Sequence, residues 1–280
     1  MNAVKQSLAY REEMFPGSGN VSLFARSWRP PGPVRGVVVI VHGFMAHSGM
    51  YQWTAERLVA LGLAVYAFDL RGHGRSEGDR YWVDDFADYV GDLERFVGLA
   101  RSREVGAPTY VLGHSAGGVV ASLYAVDHQA ELAGLISESF AFDLPAPDFA
   151  LAVMKGLDHI APHLHVLSLK PEDFSRDPGF VEAMRKDPLV NHMPGPTHTL
   201  AALARADAKL RKSFPALSLP VLILHGLADK AAKPHGSQIF FDTVGSKDKT
   251  LKLYEGAFHD LLNDVDKERV MGDVTEWLGS

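Results

Sequence analysis

Gly113-His114-Ser115-Ala116-Gly117 is the stretch on which the reading of the fold turns. It follows a short apolar run, residues 108–112, and precedes a run of small and apolar residues, 118–126. Strand, tight turn and helix form the setting in which G-x-S-x-G lifts a serine hydroxyl above the end of a sheet. Gly113 and Gly117 suit such a turn, because a Cβ at either place would meet the neighbouring strand or helix. The helix start aims free N–H groups and partial positive charge at the serine, where an oxyanion would form. The same pentad also fits a plain glycine-containing turn with an incidental serine, so the rest of the chain has to decide.

Working outward, the flanking segments alternate strand and helix. Residues 36–41, Gly-Val-Val-Val-Ile-Val, form a β-branched run of the kind buried on both faces of a parallel sheet. Residues 63–68, 132–137, 221–225 and 250–254 read as further strands, and 21–28 alternates as an edge hairpin strand should. Tyr51, Ala55, Leu58 and Leu61 fall at helical spacing, with Gly62 as the C-terminal stop. Asp84 and Asp85 open a helix whose apolar positions are Phe86, Val90, Leu93, Val97 and Ala100. Residues 265–278 close the chain as a helix. This order predicts an α/β fold: a mostly parallel central sheet with right-handed crossovers and helices on both faces.

Residues 143–214 break the alternation. Eight prolines separate short helical patterns at 148–160 and 199–212. The segment reads as a helical cap inserted between two strands, with 1–142 and 215–280 as the core. Residues 149–154 are apolar all round, so a helix there is buried or faces lipid or an apolar substrate.

The chain has 280 residues, 46% hydrophobic and 22% charged, enough for one large α/β domain with an insertion. A net charge of −6 argues against nucleic acid, whose phosphates call for a basic excess. With no cysteine, disulfides, thiolate catalysis and cysteine-held zinc are excluded. Residues 1–15 carry no apolar signal-peptide core, and no stretch has the length of a membrane span. A cytoplasmic location is the expectation, with peripheral membrane contact left open.

A serine hydroxyl is a poor nucleophile at neutral pH and needs a base, which in turn needs an orienting acid. In this strand order the acid and the histidine follow the serine. Asp229, after the strand at 221–225, and His259, after the last strand, supply them. All three then lie beyond carboxyl ends of parallel strands. Alternatives exist at each position. Asp229 could cap the helix near Pro234, Glu138 could be the acid, and His259 could be a surface loop residue. The oxyanion donors would be the N–H groups of Ala116 and Phe44, with Gly43 allowing close approach. His159, His163 and His165 suggest a metal, but Pro162 interrupts their helix and no carboxylate completes the set, so solvated histidines are the simpler reading.

Four stretches together carry a family resemblance: His42-Gly43-Phe44-Met45-Ala46-His47-Ser48-Gly49-Met50-Tyr51, Asp69-Leu70-Arg71-Gly72-His73-Gly74-Arg75-Ser76-Glu77-Gly78-Asp79-Arg80, Gly113-His114-Ser115-Ala116-Gly117-Gly118, and the run from Lys249 to His259. The chain resembles the α/β-hydrolases, and within them the monoacylglycerol lipase and lysophospholipase branch, a serine aminopeptidase S33-type group. The resemblance implies a triad on Ser115, Asp229 and His259, oxyanion donors at Phe44 and Ala116, a mobile lid over an apolar acyl tunnel, and no cofactor or metal. It implies hydrolysis of esters with an apolar acyl chain, monoacylglycerols first, through an acyl-enzyme. Lysophospholipase, general carboxylesterase and aminopeptidase are the rivals within the class, and a non-catalytic binding protein of this fold is the rival outside it. The expected partners are a small lipid or ester substrate and, through the cap, a membrane or micelle surface.

Expected substrate contacts are His114, His47 and Tyr51 at the polar end and Phe149, Leu151 and Met154 on the cap. The family pattern has a glutamate where Ala46 stands and an arginine where Met50 stands, which predicts weak selection for a glycerol headgroup.

Overall fold

The computed structural model describes residues 9–142 and 161–279. An eight-stranded sheet runs through it. The strands are β1 (Ala9–Pro16), β2 (Ser22–Arg29), β3 (Gly36–Val41), β4 (Leu63–Phe68), β5 (Thr109–His114), β6 (Gly134–Glu138), β9 (Val221–Gly226) and β10 (Lys249–Tyr254). Their order is β1-β2-β4-β3-β5-β6-β9-β10. β1 and β2 form an antiparallel hairpin that meets β4 antiparallel, and every other pairing is parallel. The 21–28 strand is therefore part of a hairpin as expected but not the edge. β1 takes the edge, and Trp28 of β2 is buried against the sheet.

The β3 run shows why this sheet needs helices on both sides. Val37, Val39 and Val41 enter one buried apolar cluster, while Val38 and Ile40 enter the other. The first cluster is closed by α2 (Phe86–Arg103) and α3 (Ala116–His128), the second by α1 (Gln52–Ala60) and α7 (Lys267–Gly279). The predicted stops hold. Asp85 caps α2 by accepting from Ala87 N at 2.8 Å, and Gly62 takes φ +83° after α1. Leu61, counted with the apolar face, lies past the last turn and is exposed.

Residues 161–214 add no strand to the main sheet. They hold a two-stranded ribbon, β7 (His165–Leu167) with β8 (Gly195–Pro196), and helices α4 (Pro178–Lys186) and α5 (Thr197–Ser213). The expected cap boundary at 214 cuts through packed core. Leu203, Ala206, Leu210 and Phe214 share the buried cluster of α2 and α3, so the second half of α5 is core. Helix α6 (Pro234–Thr243) follows β9 and buries Phe240 in the same cluster. No helix among the described residues is long and apolar enough to cross a membrane.

Candidate active site

Ser115 sits between β5 and α3 with φ +55° and ψ −122°, a conformation that a side-chain-bearing residue adopts only under constraint. Packing supplies the constraint. A Cβ on Gly117 would lie 2.2 Å from the carbonyl oxygen of Val41, and one on Gly113 would lie 2.5 Å from that of Gly117. The turn is as sharp as its two glycines allow. Ala116 is the first residue of α3, so its N–H has no partner within the helix.

The loop after β3 closes on the same point. A Cβ on Gly43 would stand 2.7 Å from Ser115 Cβ. His42 Nε2 accepts from Leu70 N at 2.9 Å, which leaves the proton on Nδ1, donated to the Gly43 carbonyl at 2.7 Å. Burial pushes the His42 imidazole down to about 3, so it stays neutral and this tautomer is kept. The Gly43 carbonyl belongs to the peptide plane that carries the Phe44 N–H. Holding one end of a trans peptide aims the other in the opposite direction. The Phe44 ring stacks on His73, with centroids 5.8 Å apart and planes at 7°.

Asp229 and His259 meet at the ends of β9 and β10. His259 Nδ1–H donates to Asp229 Oδ2 at 2.7 Å, and both side chains are buried. Asp229 Oδ1 accepts from the N–H groups of Ala231 and Ala232 at 2.8 and 2.9 Å. His225 Nε2 lies 3.0 Å from Asp229 Oδ2. Burial pulls the Asp229 pKa up, and the charge and hydrogen bond of His259 with the contact from His225 more than reverse it, holding the carboxyl below the usual carboxylate range. Asp229 thus caps the local turn and orients His259 at once, while helix α6 begins later, after Lys233.

His114 ties the serine turn to the histidine loop. Its ring lies 4.9 Å from that of His259, and its Nε2–H donates to the His259 carbonyl at 3.3 Å. Phe174 also packs on His259, ring planes near perpendicular and centroids 5.1 Å apart. Among the described residues no hydrogen bond joins Ser115 Oγ to His259 Nε2. Such contacts often tighten only when substrate is bound.

Glu138 is not positioned as the orienting acid. It is fully buried at the end of β6, and its Oε1 accepts from Leu262 N at 3.0 Å. Burial, and then the neighbouring Asp260 carboxylate, raise its pKa well above the usual range. Burial pushes Asp260 up to about 6. His114, Glu138 and Asp260 offer ligand atoms within 4.8 Å of one another, a spacing that could hold a cation. Both Asp260 oxygens already accept from the Asn263 amide at 3.1 Å, and the two carboxyls are biased toward their neutral forms, which suits a retained proton better than a metal. Of the histidines considered for metal, His159 lies outside the described residues, and His163 stacks on Trp82 at 4.5 Å.

The polar substrate contacts expected from sequence are corrected by burial. His114 is fully enclosed and committed to the His259 carbonyl. The hydroxyl of buried Tyr51 is turned inward toward Asp260 and Glu138. His47 Nδ1 accepts from Gly49 N, so its Nε2–H donates to Asp187 Oδ2 at 2.9 Å and ties the β3 loop to the segment after α4. These side chains face the interior because the loop folds over them, which a motif match does not reveal. Phe149, Leu151 and Met154 lie outside the described residues. A shallow, mostly apolar depression opens at Phe44 and is lined by Met45, Tyr81, Leu169, Met193, Thr199 and Leu200. Sequence reasoning missed this wall, because its residues come from four separate loops and α5.

A parallel sheet with a strained serine between β5 and α3 and a histidine–aspartate pair past its last strands defines an α/β-hydrolase of the serine type. The sequence profile described as "Serine aminopeptidase, S33" matches residues 32–266, and the chain belongs to that hydrolase family. It is 38% identical to the monoacylglycerol lipase of Mycolicibacterium smegmatis, with 96% of this chain and 97% of the relative covered. It is 32% identical to human monoglyceride lipase, over 91% of this chain and 86% of the relative. Among solved structures, Paleococcus ferrophilus monoacylglycerol lipase superposes with a TM-score of 0.81 at 32% identity, covering 91% of this chain and 98% of that one. A soluble variant of Saccharomyces cerevisiae monoglyceride lipase superposes with a TM-score of 0.85 at 26% identity, covering 100% and 96%.

Proposed function

We propose that the protein hydrolyses carboxylic esters with an apolar acyl chain, monoacylglycerols foremost, through an acyl-enzyme on Ser115. The observation that carries this is the His259–Asp229 hydrogen bond at 2.7 Å beside a serine held at φ +55°. In this reading Ser115 Oγ attacks the ester carbonyl while His259 Nε2 takes its proton. Asp229 keeps the Nδ1–H tautomer and stabilises the imidazolium. The N–H groups of Phe44 and Ala116 receive the oxyanion. His259 returns the proton to the leaving alkoxide, and water then repeats the sequence on the acyl-enzyme.

The substrate class is supported from two sides. The relatives named above are monoacylglycerol or monoglyceride lipases. The depression at Phe44 is walled by Met, Leu and aromatic side chains, which suits an acyl chain and offers no acidic anchor for the ammonium of a peptide N-terminus. That favours ester hydrolysis over the peptidase named in the family description. The described part of the expected cap outside the core, residues 161–202, then belongs to the lid. Leu164 and Met193, 47% and 56% exposed, flank the β7–β8 ribbon and support a lipid-facing rim on a protein that otherwise works in the cytoplasm.

The test is a rate panel of p-nitrophenyl esters, monoacylglycerols and lysophospholipids of matched chain length. Monoacylglycerol hydrolysis that disappears in Ser115→Ala is expected. Turnover of amino-acid anilides in preference to every ester would replace this reading with the peptidase.

A further inference from the structure

Asp229 is contacted by two imidazoles, and a triad needs one. His225, the penultimate residue of β9, is fully buried. Its Nε2 lies 3.0 Å from Asp229 Oδ2, the same oxygen that receives the His259 proton, and 3.4 Å from the carbonyl of Ala232. Both neighbours are acceptors only, so Nε2 must carry the hydrogen. Nδ1 is then an acceptor, and it sits 2.7 Å from Ser237 Oγ on helix α6, whose hydroxyl donates to it. Ser237 is fully buried too. The result is a directed chain: Ser237 O–H to His225, the His225 Nε2–H shared between the Ala232 carbonyl and Asp229 Oδ2, and His259 N–H to the same carboxylate oxygen.

We propose that His225 is a positioning residue that fixes the Asp229 carboxylate and, by sharing its oxygen, limits how strongly that carboxylate holds the proton on His259. The inference rests on the triad proposed above. The physical ground is that the base must serve both directions. A lone carboxylate stabilises the imidazolium fully, which helps His259 accept the Ser115 proton but makes it a weaker acid toward the leaving alkoxide. A second N–H donor on Oδ2 spreads the carboxylate charge over two rings and moderates that pull. No proton passes to Asp229 or His225 in either step. The other titratable groups facing His259 are His114 from β5 and Asp260, next in the chain, with Glu138 of β6 behind it. Lys230 lies over the Phe258 ring at 4.7 Å. None of these touches His225 in the contacts described, so a change at His225 reaches His259 through Asp229.

The experiment compares pH–rate profiles of a soluble p-nitrophenyl ester for the wild type, His225→Gln, His225→Asn and Ser237→Ala. The glutamine amide reaches the position of Nε2 and can still donate to Asp229. The asparagine amide reaches only the position of Nδ1, so it keeps a partner for Ser237 and loses the carboxylate. The expected result for His225→Asn is kcat down about tenfold, with the profile midpoint moved to higher pH by about half a unit or more. His225→Gln should stay within about threefold of wild type with its midpoint in place. Ser237→Ala, which lets the His225 ring change tautomer, should shift the midpoint in the same direction by less, and it carries the test if His225→Asn does not fold. An unmoved midpoint in both His225→Asn and Ser237→Ala, whatever the rate, would overturn the proposal and leave His225 as packing. Ser115→Ala and Asp229→Asn run alongside. Loss of activity in those two with no shift in the others rejects this inference alone, whereas activity surviving in Ser115→Ala rejects the triad itself.

Discussion

Two buried acid centres stand on either side of His259, and the number of N–H donors around them sets them apart. At the end of β9, Asp229 has two backbone N–H groups on one oxygen and two imidazoles on the other, and it is held ionised. At the end of β6, Glu138 has Leu262 N on one oxygen, and its Oε2 has no partner among the described residues. It is biased toward the neutral acid, as is Asp260 beside it. Both side chains are shielded from water, Glu138 the more completely, and burial pushes both the same way. The neighbouring charge, an imidazolium against a carboxylate, and the donor count set them apart. One centre can orient a base that must become a cation. The other grips the loop that carries the base, and does so without adding a second charge.

The largest expected effect breaks the comparison at Asp229. Asp229→Asn removes the charge and lets the wrong His259 tautomer form, so kcat should fall on the order of 10⁴-fold. Glu138→Gln keeps the acceptor for Leu262 N and mimics the neutral acid, so the same steady-state assay should find kcat within a few-fold of wild type. Equal losses in the two variants would show that the acids are not doing different things.

The next effect is on stability. For Asp260 the folded-state value of about 6 lies above its ordinary 3.8, so the native state binds more protons between these limits. Stability from this group is therefore present at low pH and is lost as pH rises from about 4 to about 6. Glu138, raised in the same direction, continues the loss at higher pH. Asp229, shifted the opposite way, loses its contribution only on acidification below the ordinary carboxylate range. Denaturant unfolding at pH 5 and pH 8 should show Glu138→Gln more stable than wild type at pH 8, with the gap narrowing at pH 5. A variant less stable than wild type at pH 8 would mean that Glu138 is an ionised, useful charge.

The sheet, the tight turn at Ser115 and the meeting of Asp229 with His259 were legible in the sequence, and the difference between the two acids was not. G-x-S-x-G, the β-branched run of β3 and the placing of Asp229 and His259 after strands are local patterns, and local patterns survive in one dimension. The core-directed half of α5 was assigned to the cap because proline spacing marks where strands stop and says nothing about which helix face is buried. Proximity to motifs makes His114, His47 and Tyr51 look like substrate contacts, yet His114 and His47 bond partners from distant parts of the chain, and the Tyr51 hydroxyl is buried. His225 sat in plain view four residues before Asp229, in His-Gly-Leu-Ala-Asp, but only the turn back over Ala231 and Ala232 brings its ring to the carboxylate.

The smallest expected effect lies at the headgroup. Ala46 is buried, Met50 packs against apolar neighbours, and His47 is taken by Asp187, so the loop has few free polar groups with which to select a glycerol ester. Discrimination between a monoacylglycerol and a simple alkyl ester of the same acyl chain should stay within about tenfold in kcat/KM. A preference of about a hundredfold would show that residues outside this loop read the headgroup.

The central claim is that Ser115 is the nucleophile activated by His259 with Asp229. A fluorophosphonate reacts covalently only with an activated serine, so its adduct tests that claim without assuming a substrate. Intact-mass analysis with peptide mapping should find one adduct, on Ser115, formed rapidly in the wild type and in Glu138→Gln and suppressed in Asp229→Asn. No adduct on Ser115 in a folded, undenatured wild-type sample, or equal labelling in Asp229→Asn, would contradict the account.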